Sequence, residues 1–406
     1  MTTAPPAAAA VRFGSCDAER RWRPSGLAQL PALRDPRSEQ LLRGMDELQA
    51  VLCGPDDVLL THRRPAAVFG EMMRAAGFGA RHLVVPGDPG LPVEDRLAAD
   101  GPRGLEGLAG LEDLEGLAAE PYAVLPGTAA AVERLGLLGA ALPELEAVRT
   151  VNSKTWSTRL GLPGSGQVVT SLDGLRQAAG DRCVVKDPYG VSGQGNIVVD
   201  SPTRLAMVER ALGRCPEDRI ELVVQPLFEP AADFAAHLTV GPDGEVVWHG
   251  IRQIVNEGHA YRGSTAPEPG LLRQLDRASY RECVEGVARA AAEEGYRGPL
   301  SVDSMTTTAG ELIPVLEVNA RLSPGLIAQR LGVRLRLASV RVGAEDCFDR
   351  LVDRLDRTDR LATGGRDGIL PLAASTLAPP RGWLFYAVFG EADPELGEIT
   401  ELLAAQ

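Results

Sequence analysis

Apolar residues fall in short runs and alternations separated by longer polar stretches, the rhythm of strands joined by helices. Asp57-Val58-Leu59-Leu60 reads as a strand, Pro65 to Ala76 as a helix, and His82-Leu83-Val84-Val85-Pro86 as a second strand. That order predicts a small parallel sheet. Tyr122-Ala123-Val124-Leu125-Pro126 is expected as another strand, leading into a helix from Thr128 to about Leu138. The runs at Val184-Val185 and Asn196-Ile197-Val198-Val199 predict a strand pair around a glycine-rich loop. His237-Leu238-Thr239-Val240 and Val246-Val247-Trp248-His249-Gly250 flank Gly241-Pro242-Asp243-Gly244, a strong hairpin signal. A polar loop, Asn256 to Thr265, is expected next, then one long amphipathic helix from Leu271 to Glu294, stopped by Gly295. Leu300 to Gly325 reads as two strands joined by a turn. Beyond it come a helix to about Val342, an acidic–basic stretch from Asp346 to Arg360, Gly368 to Leu372, and an aromatic strand, Trp383 to Phe389.

At 406 residues, 44% of them hydrophobic, the chain is long enough for two or three domains with cores of their own. The Pro/Ala stretch to about Ala10 is expected to be disordered. Gly101 to Ala119 repeats Gly-Leu-Glu or Gly-Leu-Ala; glycine weakens a helix by about 1 kcal/mol relative to alanine, so loop or short broken helices are expected. The formal charge of −13 argues against nucleic acid or an anionic membrane as main partner. Six cysteines (Cys16, Cys53, Cys183, Cys215, Cys283, Cys347) lack metal-ligand spacing and read as reduced thiols. With no signal-peptide pattern and no run of membrane-spanning length, a cytoplasmic location is expected.

Two distant segments carry the chemistry. In the first, Val184 to Asn196, a strand delivers Lys186 into a loop with Gly190, Ser192, Gly193 and Gly195. Glycine-rich backbone can bring N–H groups close to an anion, and lysine adds a compact positive charge. The alternative is a plain hairpin tip, and the spacing fits neither a Walker loop nor a dinucleotide fingerprint. In the second, Asp303 stands on one strand and Glu317 and Asn319 on the next. Residues two apart on a strand share a face, so Glu317 and Asn319 are co-directed while Val318 turns to the core. Two carboxylates and an amide oxygen are hard ligands of the kind Mg²⁺ selects, leaving room for phosphate oxygens. Arg252 at a strand end and Arg262 in the 256–265 loop, with Ser264, could bind a substrate carboxylate. That loop reads equally as a lid, a recognition segment or a plain surface loop.

Lysine before a Gly-rich hairpin, an apolar strand ending in a hinge, then Asp…Glu-x-Asn resembles the ATP-grasp superfamily, over roughly Asn152 to Gly325. The resemblance implies an α/β (α+β) fold: an N-terminal pre-ATP-grasp α/β lobe (1–145, with 1–10 disordered), an ATP-grasp core (146–334, nucleotide-binding to about 228 and metal-binding after it) and a small C-terminal α/β domain (335–406). It implies ATP and Mg²⁺, two ions with Mn²⁺ able to substitute. Lys186 and, in VNSKTWSTRLG, Lys154 resemble the family's phosphate-contacting lysines; the alternative for Lys154 is a solvated helix lysine, against which stands the scarcity of lysine beside arginine in this chain. The hinge resembles ELVVQPLFEPAADF, with Gln225 where a glutamate is common, Leu227 offering backbone to adenine, and Asp233 (or Glu229) as the ribose ligand. Asp303, Glu317 and Asn319 match the magnesium ligands. Arg321 matches an arginine that holds an acyl phosphate or an acceptor carboxylate, the alternative being a surface ion pair; Arg252 is the second candidate for stabilising the oxyanion.

The implied activity is ATP-dependent joining of a carboxylate, from an amino acid or peptide, to an amine through an acyl phosphate. The layout is most similar to peptide ligases of natural-product pathways, the pheganomycin type included. Small-molecule amino acids or peptides are the implied partners, with a homodimer possible. The rivals are a kinase using the same ATP apparatus, a carboxylase-like subunit and a non-catalytic ATP-binding assembly protein.

Overall fold

The computed structural model describes residues 9–14, 16–31, 36–88, 90–99, 110, 112–139, 142–190, 195–215, 219–257, 260–343 and 347–390. Most of the opening Pro/Ala stretch, much of the Gly-Leu repeat, Ser192, Gly193 and His259 lie outside them. The chain forms two compact units: residues 1–17, 36–142 and 330–406 in unit 1, and 18–35 with 143–329 in unit 2.

Unit 1 begins with β1 (Ala10–Phe13), β2 (Val58–Thr61), β3 (Arg81–Val84) and β4 (Ala118–Pro121), all parallel in the order β3-β2-β1-β4. The helices Ala67–Ala75, Val93–Ala99 and Thr128–Arg134 connect them or follow. Val11, Phe13, Val58, Leu60, Leu97 and Ala131 form the core beneath the sheet. β4 lies earlier than expected: Tyr122 to Pro126 is not a strand, because Leu125 N–H donates to Thr128 Oγ1 (2.8 Å) and Thr128 N–H to Leu125 O (3.0 Å), a turn that leads into the next helix. Its apolar character goes with the burial of Tyr122, Ala123 and Leu125. The helix stops at Arg134, before Gly136 in the left-handed region (φ +62).

Unit 2 contains a four-stranded antiparallel sheet, order β5-β8-β6-β7, of β5 (Gln167–Val169), β6 (Cys183–Lys186), β7 (Asn196–Val199) and β8 (Leu222–Pro226). The helices Leu172–Ala178 and Pro202–Leu212 cover it, burying Leu175, Val185, Val208 and Val224. A second antiparallel group runs β13-β12-β9-β10-β11, from β9 (Pro230–Val240), β10 (Val246–Glu257), β11 (Ala260–Thr265), β12 (Gly298–Thr307) and β13 (Leu312–Asn319).

Two expectations for this region fail. The 256–265 segment is not a loop, because β10 continues to Glu257 and pairs with β11 from Ala260. The long helix is two, Pro269–Arg277 and Tyr280–Glu293, broken at Ser279 with φ +50. The apolar phase slips there: Leu271 and Leu275 face inward from the first helix, Tyr280, Val284, Val287 and Ala291 from the second. Tyr280 fixes the break by hydrogen-bonding Ser304 Oγ (2.7 Å) and packing edge-on against Phe234.

After the helix Pro324–Leu331 the chain enters β14 (Arg334–Arg341) rather than staying helical to Val342, since Gly332 (φ +66) ends the helix and the alternation from Arg334 suits a strand. In unit 1, β14 pairs with β16 (Arg381–Phe389), which pairs with β15 (Gly368–Pro371). The acidic–basic stretch forms the helix Cys347–Arg357, which buries Phe348, Leu351 and Leu355. Buried Glu47 joins this segment to the N-terminal part of the unit by accepting from Ala374 N (2.5 Å), Ser375 N (3.0 Å) and Ser375 Oγ.

Candidate active site

The β12–β13 ladder sets Asp303 opposite Glu317 and Ser301 opposite Asn319. Because side chains alternate along each strand, Asp303, Glu317 and Asn319 share one face while Val302 and Val318 turn to the other. Asn319 Nδ2 donates to Asp303 Oδ2 at 3.1 Å. Burial pushes the Asp303 carboxyl up to about 7, with the facing Glu317 charge adding to the effect. Two carboxylates held this closely call for a cation.

Lysine supplies it. The chain has two lysines, Lys154 and Lys186, and both stand here. Lys154 opens the helix Lys154–Arg159, whose N-cap Ser153 accepts from Thr155 N. It is 4% exposed, and its Nζ lies 2.8 Å from both Gly190 O and Glu317 Oε1. Lys186, at the end of β6, is pushed down to about 8 by burial, and its Nζ reaches Leu316 O at 3.4 Å. The glycine hairpin closes through Asp187 N to Gly195 O (2.8 Å); a Cβ on Gly195 (φ +88) would stand 3.0 Å from Asp187 Cβ. Asp187 is itself fixed by an ion pair with Arg23 and by Leu30 N (3.2 Å).

Register continues this polar face across the sheet. Asp303 pairs with Ala235 and Ser301 with His237 on β9, which places Asp233 and His237 on the same side. Arg252 is opposite Ala235, and Ser264 opposite Ile254, so both belong to it. Arg252 is buried, with Nη2 reaching Ser264 O at 3.4 Å. His237, 1% exposed, joins Ser301 Oγ through Nδ1 (2.8 Å), and Ser301 joins Ser323 Oγ (2.9 Å).

Several side chains read from the sequence have partners within the protein. Asp233 accepts from Asn256 Nδ2 at 2.8 Å, and burial raises its carboxyl. Arg262 pairs with Glu257 (2.8 Å) towards the β10–β11 hairpin end. Gln225 Nε2 donates to Gly164 O (2.5 Å), and Leu227 N–H donates to Arg182 O at 3.4 Å. Arg321 is ion-paired with Glu19 and donates to Asn319 Oδ1 at 3.0 Å.

Glu19 and Asn152 escaped the sequence reading. Glu19 lies 302 residues before its partner, and no local pattern signals that approach. Buried Asn152 accepts from Ala320 N (2.9 Å) and donates to Val148 O (2.8 Å) and Ala320 O (3.3 Å), fixing the chain between Asn319 and Arg321. Its place two residues before Lys154 was the only cue.

Lys154, Ser157, Thr158, Ser165, Lys186, Val223, Gln225, Val315 and Leu316 line a cleft of about 220 Å³. That figure includes open solvent, so a nucleotide must widen the cleft. No trio of His, Cys, Asp or Glu sits at metal-binding spacing among the described residues. Two carboxylates and one amide suit a hard ion that takes its remaining ligands from phosphate and water. Two buried lysines suit the phosphate. The residues present fit both.

No family model matches the chain. It is 25% identical, over 306 residues covering 72% of it and 68% of the relative, to the [butirosin acyl-carrier protein]–L-glutamate ligase of Niallia circulans. Among solved structures it is similar to an N5-carboxyaminoimidazole ribonucleotide synthetase bound to ADP, at TM-score 0.56 and 12% identity over 99% of this chain and 98% of that one. The N5-carboxyaminoimidazole synthetase of Staphylococcus aureus with ADP gives 0.54 and 11% over 97% and 95%. Biotin carboxylase of Campylobacter jejuni gives 0.52 and 11% over 95% and 88%. With these likenesses across nearly its whole length, the chain has the ATP-grasp fold.

Proposed function

We infer that this chain is an ATP-dependent ligase that activates a carboxylate as an acyl phosphate and joins it to an amine. The carrying observation is that Lys154 Nζ bonds Glu317, which stands beside Asp303 and Asn319, while both lysines of the chain line one cleft. In this reading Lys154, Lys186 and the glycine-rich 190–195 segment hold the triphosphate, Ser192 and Gly193 being named from the sequence alone; Leu227 and Gln225 border the adenine and Asp233 the ribose. Asp303, Glu317 and Asn319 would hold Mg²⁺, one or two ions, which would offset the charge developing on the phosphates. The substrate carboxylate forms a bond to the γ-phosphorus as the bond to ADP breaks. The amine then forms the C–N bond, phosphate leaves, and the ammonium proton passes to solvent. Arg321, exchanging Glu19 for the reacting group, and Arg252 stabilise the oxyanion of that second step. Arg262 and Ser264 belong to the substrate side of the same sheet face. The work of the protein is positioning and electrostatics.

An amino acid is the first carboxylate to test, and a carrier-protein-borne group the first partner, because the ligase of Niallia circulans is named for that pair. A cytoplasmic setting, with its ATP and amino-acid pools, suits the reaction. The purified full chain with ATP and Mg²⁺ is screened for ADP release over single amino acids, amino-acid pairs and a carrier protein. Hydroxylamine added to a productive mixture should yield a hydroxamate. A stable phosphoester instead would make the protein a kinase, and absence of nucleotide turnover with every substrate would remove the ligase reading.

A further inference from the structure

The guanidinium assigned to the reacting group is already occupied. Arg321 Nε (2.8 Å) and Nη2 both donate to Glu19 Oε1, Nη2 also donates to Asn319 Oδ1 (3.0 Å), and Nη1 to Leu322 O (3.2 Å). The Nε–Nη2 edge is a fork with which an arginine grips a carboxylate or a phosphate. Here Glu19 fills it, so a substrate anion takes that edge only by displacing Glu19.

Glu19 is held where it stands. It opens the one-turn helix Glu19–Trp22, in which Trp22 is fully buried. Just beyond, Arg23 is ion-paired with buried Asp187 and donates to Ala28 O (3.3 Å). Ala28 N donates to Arg219 O (2.8 Å), and Leu30 N to Asp187 Oδ2 (3.2 Å). The 19–30 segment is thus stitched to the chain just after β6 and just before β8. The carboxylate keeps its place when the arginine turns away.

Both donors fall on one oxygen. Among the described residues, buried Glu19 Oε2 has no hydrogen-bond partner, and no second cation pairs with this side chain, which is 6% exposed. Release of Arg321 to a plain carboxylic acid would leave the Glu19 charge buried and unpaired, the costly way to break an ion pair. Such an acid brings only a second negative charge. The remaining charges of the site do not substitute: Lys154 is engaged by Glu317 (2.8 Å), Lys186 reaches Leu316 O, and Asp303, which feels the Arg321 charge, is itself acidic. An amino acid brings its own cation. The exchange then keeps both halves paired, carboxylate with Arg321 and ammonium with Glu19.

We propose, on the ligase reading that gives Arg321 the reacting group, that Glu19 receives the ammonium of the carboxylate substrate and restricts that substrate to amino acids with a free amino group. Oε2, bare in the resting protein, and the vacated Oε1 are the acceptors. The ammonium is a handle and takes no part in the bond changes at phosphorus.

The full chain with ATP, Mg²⁺ and hydroxylamine is given each L-amino acid, then the N-acetyl and deaminated forms of the best one, and hydroxamate is measured. The free amino acid should exceed both in kcat/KM by about 100-fold, the scale of a buried charge left unpaired. The deaminated acid is the smaller molecule, so its failure is not steric. Glu19→Gln should raise KM for the amino acid and shrink the preference below ~10-fold, while Glu19→Asp keeps it. A Glu19 that only supports the fold would depress every acid alike and leave the preference intact. The wild-type series decides even if Glu19→Gln does not fold. A deaminated acid used within ~10-fold of its amino acid, or an undiminished preference in Glu19→Gln, overturns the proposal and leaves the ligase. No hydroxamate with any acid removes the ligase, and the role of Glu19 with it.

Discussion

Replacing Glu317 with Gln tests the electrostatics of the active site most directly. The change keeps the shape of the side chain and removes one charge, 2.8 Å from Lys154 Nζ. Lys154 is 4% exposed and would keep Gly190 O but lose its carboxylate. Removing one partner of a fully buried pair costs about 3–5 kcal/mol. The Glu317 side chain is 27% exposed, so water softens the loss, to about 2 kcal/mol. For a unit of this size that lowers the melting temperature by roughly 4–8 °C. The site also loses a metal ligand, and turnover should fall at least ~100-fold, the scale of one deleted electrostatic contact to a reacting group. Asp303, no longer facing a second carboxylate, should titrate lower. Scanning fluorimetry and ADP release read the two effects, with Glu285→Gln as control. Glu285 is half-buried, but its partners Arg281 and Arg289 are exposed and keep their hydration without it, so its loss should move stability by under about 0.5 kcal/mol. A Glu317→Gln protein that melts within a degree of wild type and keeps a tenth of its turnover would refute both the buried pair and the metal placement.

Two further variants probe what surrounds the sites. Asn152→Ala strands the N–H and C=O of buried Ala320 and should cost about 2–3 kcal/mol in urea denaturation, with a drop in turnover as Asn319 and Arg321 lose their support; unchanged stability would show those bonds to be idle. Glu47 is raised from 4.5 to about 7, by burial first and by Asp46 second. Between those values the folded chain keeps a proton that the unfolded chain has released. Stability is therefore fullest at low pH and falls as pH rises through 7, by up to about 3 kcal/mol. Glu47→Gln should flatten that decline between pH 5 and 8, and a variant whose melting temperature tracks pH as the wild type does would contradict it.

Local order was largely legible in the residues themselves. The period-two alternation of Glu317-Val318-Asn319 put the two polar side chains on one face before any partner strand was known, and Gly241 to Gly244 marked a hairpin. These features depend on neighbours a few residues apart, where backbone geometry alone decides direction. Even the break at Ser279 left a trace in the slipped apolar phase between Leu275 and Tyr280, although the helical composition masked it. The 256–265 segment misled because its polar residues suit a loop and an exposed hairpin alike, and only hydrogen bonding to β10 distinguishes them. What folding alone decided is who meets whom. Lys154 reaches Glu317 across 163 residues, Arg321 finds Glu19 across 302, and Glu47 receives the 374–375 backbone across more than 300. A charge carries no address in the sequence; its partner is set by where the chain returns, and burial then makes that meeting strong.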